Sequence, residues 1–223
     1  MLNRKFKYLQ VALNSTINDA QEIISQLPGS DRILIEAGTP LIKKYGMDAI
    51  RSLSSWWQQK LGYQQIPYIV ADMKTMDRGE TEVIMAKEAG ASAVISLGQA
   101  PLETINSFIH TCEQHQIDSM LDMMNVDQPV KILRQLKKQP KVVILHRGVD
   151  EEKFNRDKPI PYLQINKIRS SYDVLISIAG GDTIREVQRA IFNDANIVVV
   201  WKEFYNSSSN TGHLAEEFLK VIK

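Results

Sequence analysis

Short apolar runs alternate along the whole chain with longer stretches in which apolar side chains recur every three or four residues. Unbroken runs of Val, Ile and Leu predict strands buried on both faces, and the longer period predicts amphipathic helices. The first strand spans Tyr8 to Leu13, followed by a helix from about Ile17 to Leu27. Arg32 to Ala37 is the second strand, with a helix around Met47 to Lys60. The third is Pro67 to Ala71, then a helix from Gly79 to Ala89. Ser92 to Leu97 precedes a helix over Leu102 to His115. Asp118 to Asp122 precedes Val130 to Lys138. Lys141 to Leu145 leads through a long polar loop to a helix over Leu163 to Ser170. Val174 to Ile178 precedes Thr183 to Phe192, and Asn196 to Val200 precedes Gly212 to Ile222.

Strand–helix repetition implies parallel pairing with right-handed crossovers. Eight such units point to a (β/α)8 TIM barrel as a single domain over residues 1–223, with an open doubly wound sheet as the other arrangement. No Pro/Gly/Ser-rich linker divides the chain. Asn206 to Asn210, with three serines between, predicts a polar turn.

Charge narrows the function classes. Lys and Arg number 27 against 26 Asp and Glu, so no large field recruits nucleic acid or an anionic membrane. No apolar run approaches the roughly 20 residues that span a bilayer. The first residues carry charge without a signal-peptide core, and a cytoplasmic protein is expected. The single cysteine, Cys112, sits in a helical pattern and excludes an internal disulfide framework. It reads as a small buried side chain.

In such a barrel the chemistry gathers at the C-terminal ends of the strands. Those ends carry Asn14, Glu36, Asp72 with Lys74 and Asp77, Asp122, His146 with Arg147, and Gly180 with Gly181. Asp72 and Lys74, two apart on an extended segment, point to one face. A lysine held between Asp72 and Asp77 stays charged and can bond to both, an array able to stabilise an anion, hold a cation or move protons. A plain surface ion pair is the alternative. Glu36 and Asp72 on neighbouring strands can share Mg2+, which suits one or two carboxylates completed by water and substrate oxygens; otherwise Glu36 pairs with Lys74 and no metal binds. His146 is placed for general acid–base work or for a structural hydrogen bond. His110, His115 and His213 fall on helices. Gly180-Gly181 before a helix allows close approach of an anion, or simply a tight turn. Thr39, after Gly38, can cap the following segment or touch ligand.

Several segments occur together: Leu9-Gln-Val-Ala-Leu13, Ile35-Glu-Ala-Gly-Thr-Pro-Leu-Ile42, Val70-Ala-Asp-Met-Lys-Thr-Met-Asp77, Glu88-Ala-Gly-Ala91, Leu145-His-Arg-Gly-Val-Asp150 and Ile178-Ala-Gly-Gly181. In this order they resemble the orotidine-5′-phosphate decarboxylase suprafamily, and within it the branch of 3-hexulose-6-phosphate synthase and 3-keto-L-gulonate-6-phosphate decarboxylase. The second-strand Glu36 is similar to the metal-dependent branch; the decarboxylases of orotidine 5′-phosphate look to carry Lys there. The resemblance implies a Mg2+-dependent lyase that condenses formaldehyde with D-ribulose 5-phosphate through a metal-bound enediolate. It implies Glu36 and Asp72 as metal ligands, Lys74 beside the enediolate oxygen and His146 moving the C1 proton. It also implies a homodimer in which Asp77 completes the partner's site. Asn14, Thr39, Arg147, Gly180, Gly181 and Lys202 are the candidate substrate-binding residues.

Two positions depart from the resemblance. The family's first strand normally ends in Asp, and this chain has Asn14, which keeps hydrogen bonding and loses charge. The eighth normally ends in Val-Gly-Arg, whose backbone and side chain grip phosphate, and here the run is Val199-Val200-Trp201-Lys202. Lys202 can replace the arginine as a point charge without its bidentate fork, and Trp201 can equally be a packed cap. The resemblance also allows a decarboxylase acting on a 3-keto sugar-acid phosphate, orotidine 5′-phosphate being disfavoured by Glu36, and the departures at Asn14 and Trp201 allow a barrel that binds a sugar phosphate without turnover.

Overall fold

Each predicted strand pairs in parallel with the next in sequence, and the last returns to the first. They are β1 (Tyr8–Leu13), β2 (Ile33–Ala37), β3 (Ile69–Thr75), β4 (Ala93–Leu97), β5 (Asp118–Asp122), β6 (Val142–His146), β7 (Leu175–Ala179) and β8 (Ile197–Val200). The computed structural model describes residues 2–155, 157–207 and 210–222. Its eight strands form a closed barrel, with β8 bonded to β1 from Tyr8↔Ile197 to Val11↔Val200. The barrel, not the open sheet, is the fold.

The helices follow as α1 (Ile17–Gln26), α2 (Thr39–Tyr45), α3 (Met47–Leu61), α4 (Gly79–Glu88), α5 (Leu102–Gln114), α6 (Pro129–Gln135), α7 (Val149–Phe154), α8 (Leu163–Arg169), α9 (Ile184–Phe192), α10 (Lys202–Asn206) and α11 (Thr211–Val221). Capping boxes start two of them: Thr16 with Asp19 for α1, and Thr183 with Glu186 for α9. In each the hydroxyl accepts the third residue's N–H and the carboxylate accepts the cap's.

The apolar runs feed two cores. Leu9, Val11 and Leu13 face outward with Ile24, Trp57, Phe108 and Phe218 in the layer between strands and helices. Leu34, Val70, Met120, Val142, Ile144, Leu175 and Ile197 fill the barrel interior. Each such fully buried side chain contributes about 1.5–3 kcal/mol. Period two then fixes the site. Leu34, Val70, Met120 and Ile144 point inward, so Glu36, Asp72, Asp122 and His146, two residues on, point the same way at the C-terminal end.

Three short helices, α2, α7 and α10, stand where the hydrophobic period predicts only connections. At five to seven residues they are too short to display a 3.6-residue repeat. β3 runs to Thr75 instead of stopping at Ala71, with its register to β4 shifted between Ala71 and Thr75. Asp72 and Lys74 therefore belong to the strand. Of the predicted polar turn, Asn206 ends α10 and Asn210 precedes α11; Ser208 and Ser209 lie outside the described residues. Cys112 is buried in α5, and burial pushes its thiol pKa up. No helix among the described residues is long and apolar enough to cross a membrane.

Candidate active site

The irregular end of β3 builds the centre of the site. Lys74 takes a left-handed conformation, φ 47°, which breaks the ladder and turns its amine over the barrel mouth. Nζ lies 3.0 Å from both oxygens of Asp72 and 3.0 Å from Asp122 Oδ2. The second carboxylate beside Lys74 is thus Asp122, not Asp77. Asp77 is exposed beyond the strand and does not line the cleft. Glu36 does not pair with Lys74 either. It is buried and accepts a hydrogen bond from the Gln10 amide.

Asp122 ties the amine to the imidazole. Its Oδ2 also meets His146 Nδ1 at 2.8 Å, and its Oδ1 accepts the Met124 N–H at 2.9 Å. The side chain is 1% exposed. Burial works to raise the Asp122 pKa, but the His146 and Lys74 cations outweigh it and hold it well below the carboxylate range. An ionised carboxylate only accepts, so Nδ1–H of His146 donates to it and Nε2 is left for the cleft. Burial likewise opposes the charge on His146, yet the Asp122 carboxylate prevails and its pKa is raised. The same contest raises Lys74, with burial overcome by Asp72 and Asp122.

Glu36 behaves differently. Burial, and then the charge of Asp72, push its pKa up to about 7. Glu36 and Asp72, both pointing inward, and a buried Gln10 Oε1 without a hydrogen-bond partner form an oxygen-lined spot beside the Lys74 amine. Among the described residues no three His, Cys, Asp or Glu side chains converge as a full metal cage.

Thr39 heads α2, but Gly38 occupies the cap position and no side chain caps that helix. The Thr39 hydroxyl instead lies 2.7 Å from the Asp72 carbonyl and 2.8 Å from Asp72 Oδ2. It positions that carboxylate. Asn14 lines the cleft above Gly38, where a Cβ would stand 1.9 Å from Asn14 Oδ1, so any larger residue there would displace the Asn14 amide. The Asn14 N–H donates to the Tyr205 hydroxyl at 2.8 Å.

The far side of the cleft is built from β6, β7 and β8. Arg147 Nη2 donates to the Gly180 carbonyl at 2.7 Å. Gly180 has φ +98°, and a Cβ there would meet the Arg147 carbonyl at 2.3 Å. Gly180→Ala is therefore expected to cost about 1–3 kcal/mol of backbone strain, a fall in Tm of roughly 2–12 °C at this chain length. An unchanged melting curve would refute the need for glycine there. Gly181 packs against Ile160 and Glu186 and does not line the cleft. Trp201 lines it and meets Tyr205 edge-on at 6.3 Å between centroids. Lys202 Nζ stands outside the cleft lining, paired with Glu152 and 5.5 Å from the Trp201 ring centre.

The cleft holds about 440 Å3 and is lined by Gln10, Asn14, Glu36, Thr39, Asp72, Lys74, Asp122, His146, Arg147, Gly180 and Trp201, among others. Gln10 and Asp122, which make hydrogen bonds within the site, lay outside the candidate sets. Gln10 had a signal, as the one polar side chain inside the apolar run Tyr8–Leu13. Asp122 was visible at a strand end, but nothing in the spacing tied it to Lys74 and His146.

This arrangement has relatives. The profile of the Orotidine 5′-phosphate decarboxylase / HUMPS family matches residues 7–216. "Bifunctional enzyme Fae/Hps" of Methanocaldococcus jannaschii is 38% identical over 216 residues, covering 96% of this chain and 52% of that protein. The chain thus spans about half the length of the curated relatives it matches. A crystal structure of 3-hexulose-6-phosphate synthase superposes with a TM-score of 0.80 at 26% identity, covering 97% of this chain and all of that one. The 3-hexulose-6-phosphate synthase structure from Salmonella typhimurium gives 0.83 at 24% identity over 96% and 98% of the two chains, a likeness of fold. On the extent of the family match, this chain belongs to the orotidine 5′-phosphate decarboxylase / HUMPS family.

Proposed function

We propose that the chain condenses formaldehyde with D-ribulose 5-phosphate, reversibly, as a 3-hexulose-6-phosphate synthase. The observation that carries this reading is the pairing of Glu36 and Asp72 beside the continuous Lys74–Asp122–His146 chain. It gives, within one cleft, a place for a cation, a fixed ammonium and a base. The Fae/Hps relatives and the synthase structure at 26% identity support it.

The residues divide the work by their charges. His146 Nε2 takes the proton from C1 of the sugar phosphate, while Asp122 holds the ring and stabilises the imidazolium. Lys74, kept charged by two carboxylates, sits where negative charge develops on the enediolate oxygens. The enediolate carbon then adds to the carbonyl carbon of formaldehyde, and the imidazolium returns its proton to the new alkoxide. Glu36 and Asp72 would hold Mg2+, a hard ion that keeps some of its waters and suits two carboxylates. Bound there, such an ion would supply positive charge that offsets the negative charge developing on the substrate. In this reading the chain pairs with a second copy, and Asp77, exposed beyond β3, completes that copy's site.

Purified protein is expected to consume formaldehyde only when ribulose 5-phosphate and Mg2+ are both present. Glu36→Gln keeps the shape and removes the charge, and is expected to lower kcat roughly 10²–10³-fold. Folded protein that releases CO2 from a 3-keto sugar-acid phosphate and spares formaldehyde would overturn the aldol reading.

A further inference from the structure

Behind Trp201, which lines the cleft, lies an anion that belongs to the chain itself. Asp182 lies between β7 and α9 and is 7% exposed. Its Oδ1 accepts the backbone N–H groups of Trp201 at 2.7 Å and Lys202 at 3.1 Å, the two amides that follow β8. Its Oδ2 is buried with no hydrogen-bond partner, and Lys202 Nζ stands 3.8 Å away. Successive backbone N–H groups that converge on one oxygen make a receptor for phosphate or carboxylate. Here that receptor is filled from within.

The nearby side chains do not restore positive charge. Arg147 and Lys202 face Glu152 and Glu186 as well as Asp182: Glu152 binds the lysine, and Arg147 Nη2 lies 3.9 Å from Glu152 and 3.7 Å from Glu186. With Lys153, which lines the same surface hollow as Arg147, Glu152 and Lys202, three cations stand among three carboxylates. An arriving dianion meets no net attraction, and it meets amides that are already bonded. A buried carboxylate oxygen without a partner is costly to keep, and burial raises the Asp182 pKa accordingly.

We propose that Asp182 is a specificity-determining residue: bonded to the Trp201 and Lys202 amides, its negative charge weakens the hold of this end of the site on a dianionic phosphate. The inference rests on the sugar-phosphate reading above, since it concerns the far end of the same substrate.

The test titrates inorganic phosphate into the full chain by calorimetry, comparing wild type with Asp182→Asn. The amide oxygen of Asn still accepts both N–H groups, so the loop keeps its shape while the charge goes. The variant is expected to bind phosphate roughly tenfold more tightly, which corresponds to about 1.4 kcal/mol, and to show a lower KM for ribulose 5-phosphate. Equal phosphate affinity in the two proteins overturns the proposal, and so does the absence of phosphate binding in both. Should Asp182→Asn not fold, Asp182→Ser is read in the same way. Phosphate binding is measured without turnover, so a chain that consumes no formaldehyde can pass this test, and one that consumes it can fail.

Discussion

Lys74→Met should cut turnover by about two to three orders of magnitude and destabilise the protein at once. The amine is the one cation bonded to both Asp72 and Asp122, whose side chains are 8% and 1% exposed. Methionine fills a similar volume and leaves both carboxylates buried, with Glu36 close enough to Asp72 to have its pKa raised by it. Removing one partner of a buried ion pair costs about 3–5 kcal/mol, because the other charge stays behind. The loss of a positive charge where the proposed enediolate forms is expected to lower kcat/KM by a further 10²–10³-fold, roughly the effect of deleting one fixed stabilising donor. A double variant separates the two effects. Adding Asp72→Asn to Lys74→Met removes the carboxylate that the amine had balanced, whereas Asp122 keeps its bond to His146, so part of the stability should return, and the two changes will not be additive. Turnover should not return. Thermal melts alongside initial rates check both. A stable Lys74→Met protein with near-normal kcat would show that the amine neither balances the carboxylates nor serves the reaction.

The barrel was legible in the sequence because its strands are buried on both faces. Runs such as Val142-Val143-Ile144-Leu145 and Ile197-Val198-Val199-Val200 stand out from the helical period around them. The polar residues ending them could be read as one rim, and Glu36, Asp72, Lys74 and His146 do line one cleft. Pairing within that rim was not legible. Lys74 reaches Asp122, 48 residues away, through a left-handed residue and a register shift that no hydrophobic pattern encodes. Sequence proximity pointed instead to Asp77, which is exposed. Thr39 was recognisable as a helix-start residue, but its hydroxyl turns to Asp72 because Gly38 already occupies the cap position. Trp201 and Lys202 were visible as departures from the resemblance. The reason the backbone there is engaged lies in Asp182, on a different loop, whose carboxylate takes both amides.

Asp122→Asn should change the pH dependence of turnover in a direction that misfolding cannot imitate. In the wild type the Asp122 charge raises the His146 pKa above its ordinary 6.5, against the opposing effect of burial. Nε2 works as a base only when it carries no proton, so turnover rises as pH climbs through that raised value. An asparagine removes the negative charge but not the burial, which then acts unopposed by that partner, and the His146 pKa falls. The acidic limb of the kcat profile should therefore move to lower pH. The plateau should drop at the same time, by about 10²–10⁴-fold, the usual contribution of a well-placed proton-transfer group. The amide supplies two reasons for the drop. Its NH2 can donate to Nδ1, which leaves the neutral ring's proton on Nε2, where the base must be free. Its neutral oxygen also does less to stabilise the imidazolium once formed. Lys74 adds a third, since it loses one of its two carboxylates and is no longer anchored from the β5 side. A lower plateau with an unshifted limb would mean that another group sets the pH dependence, and would remove His146 from the proton-transfer step.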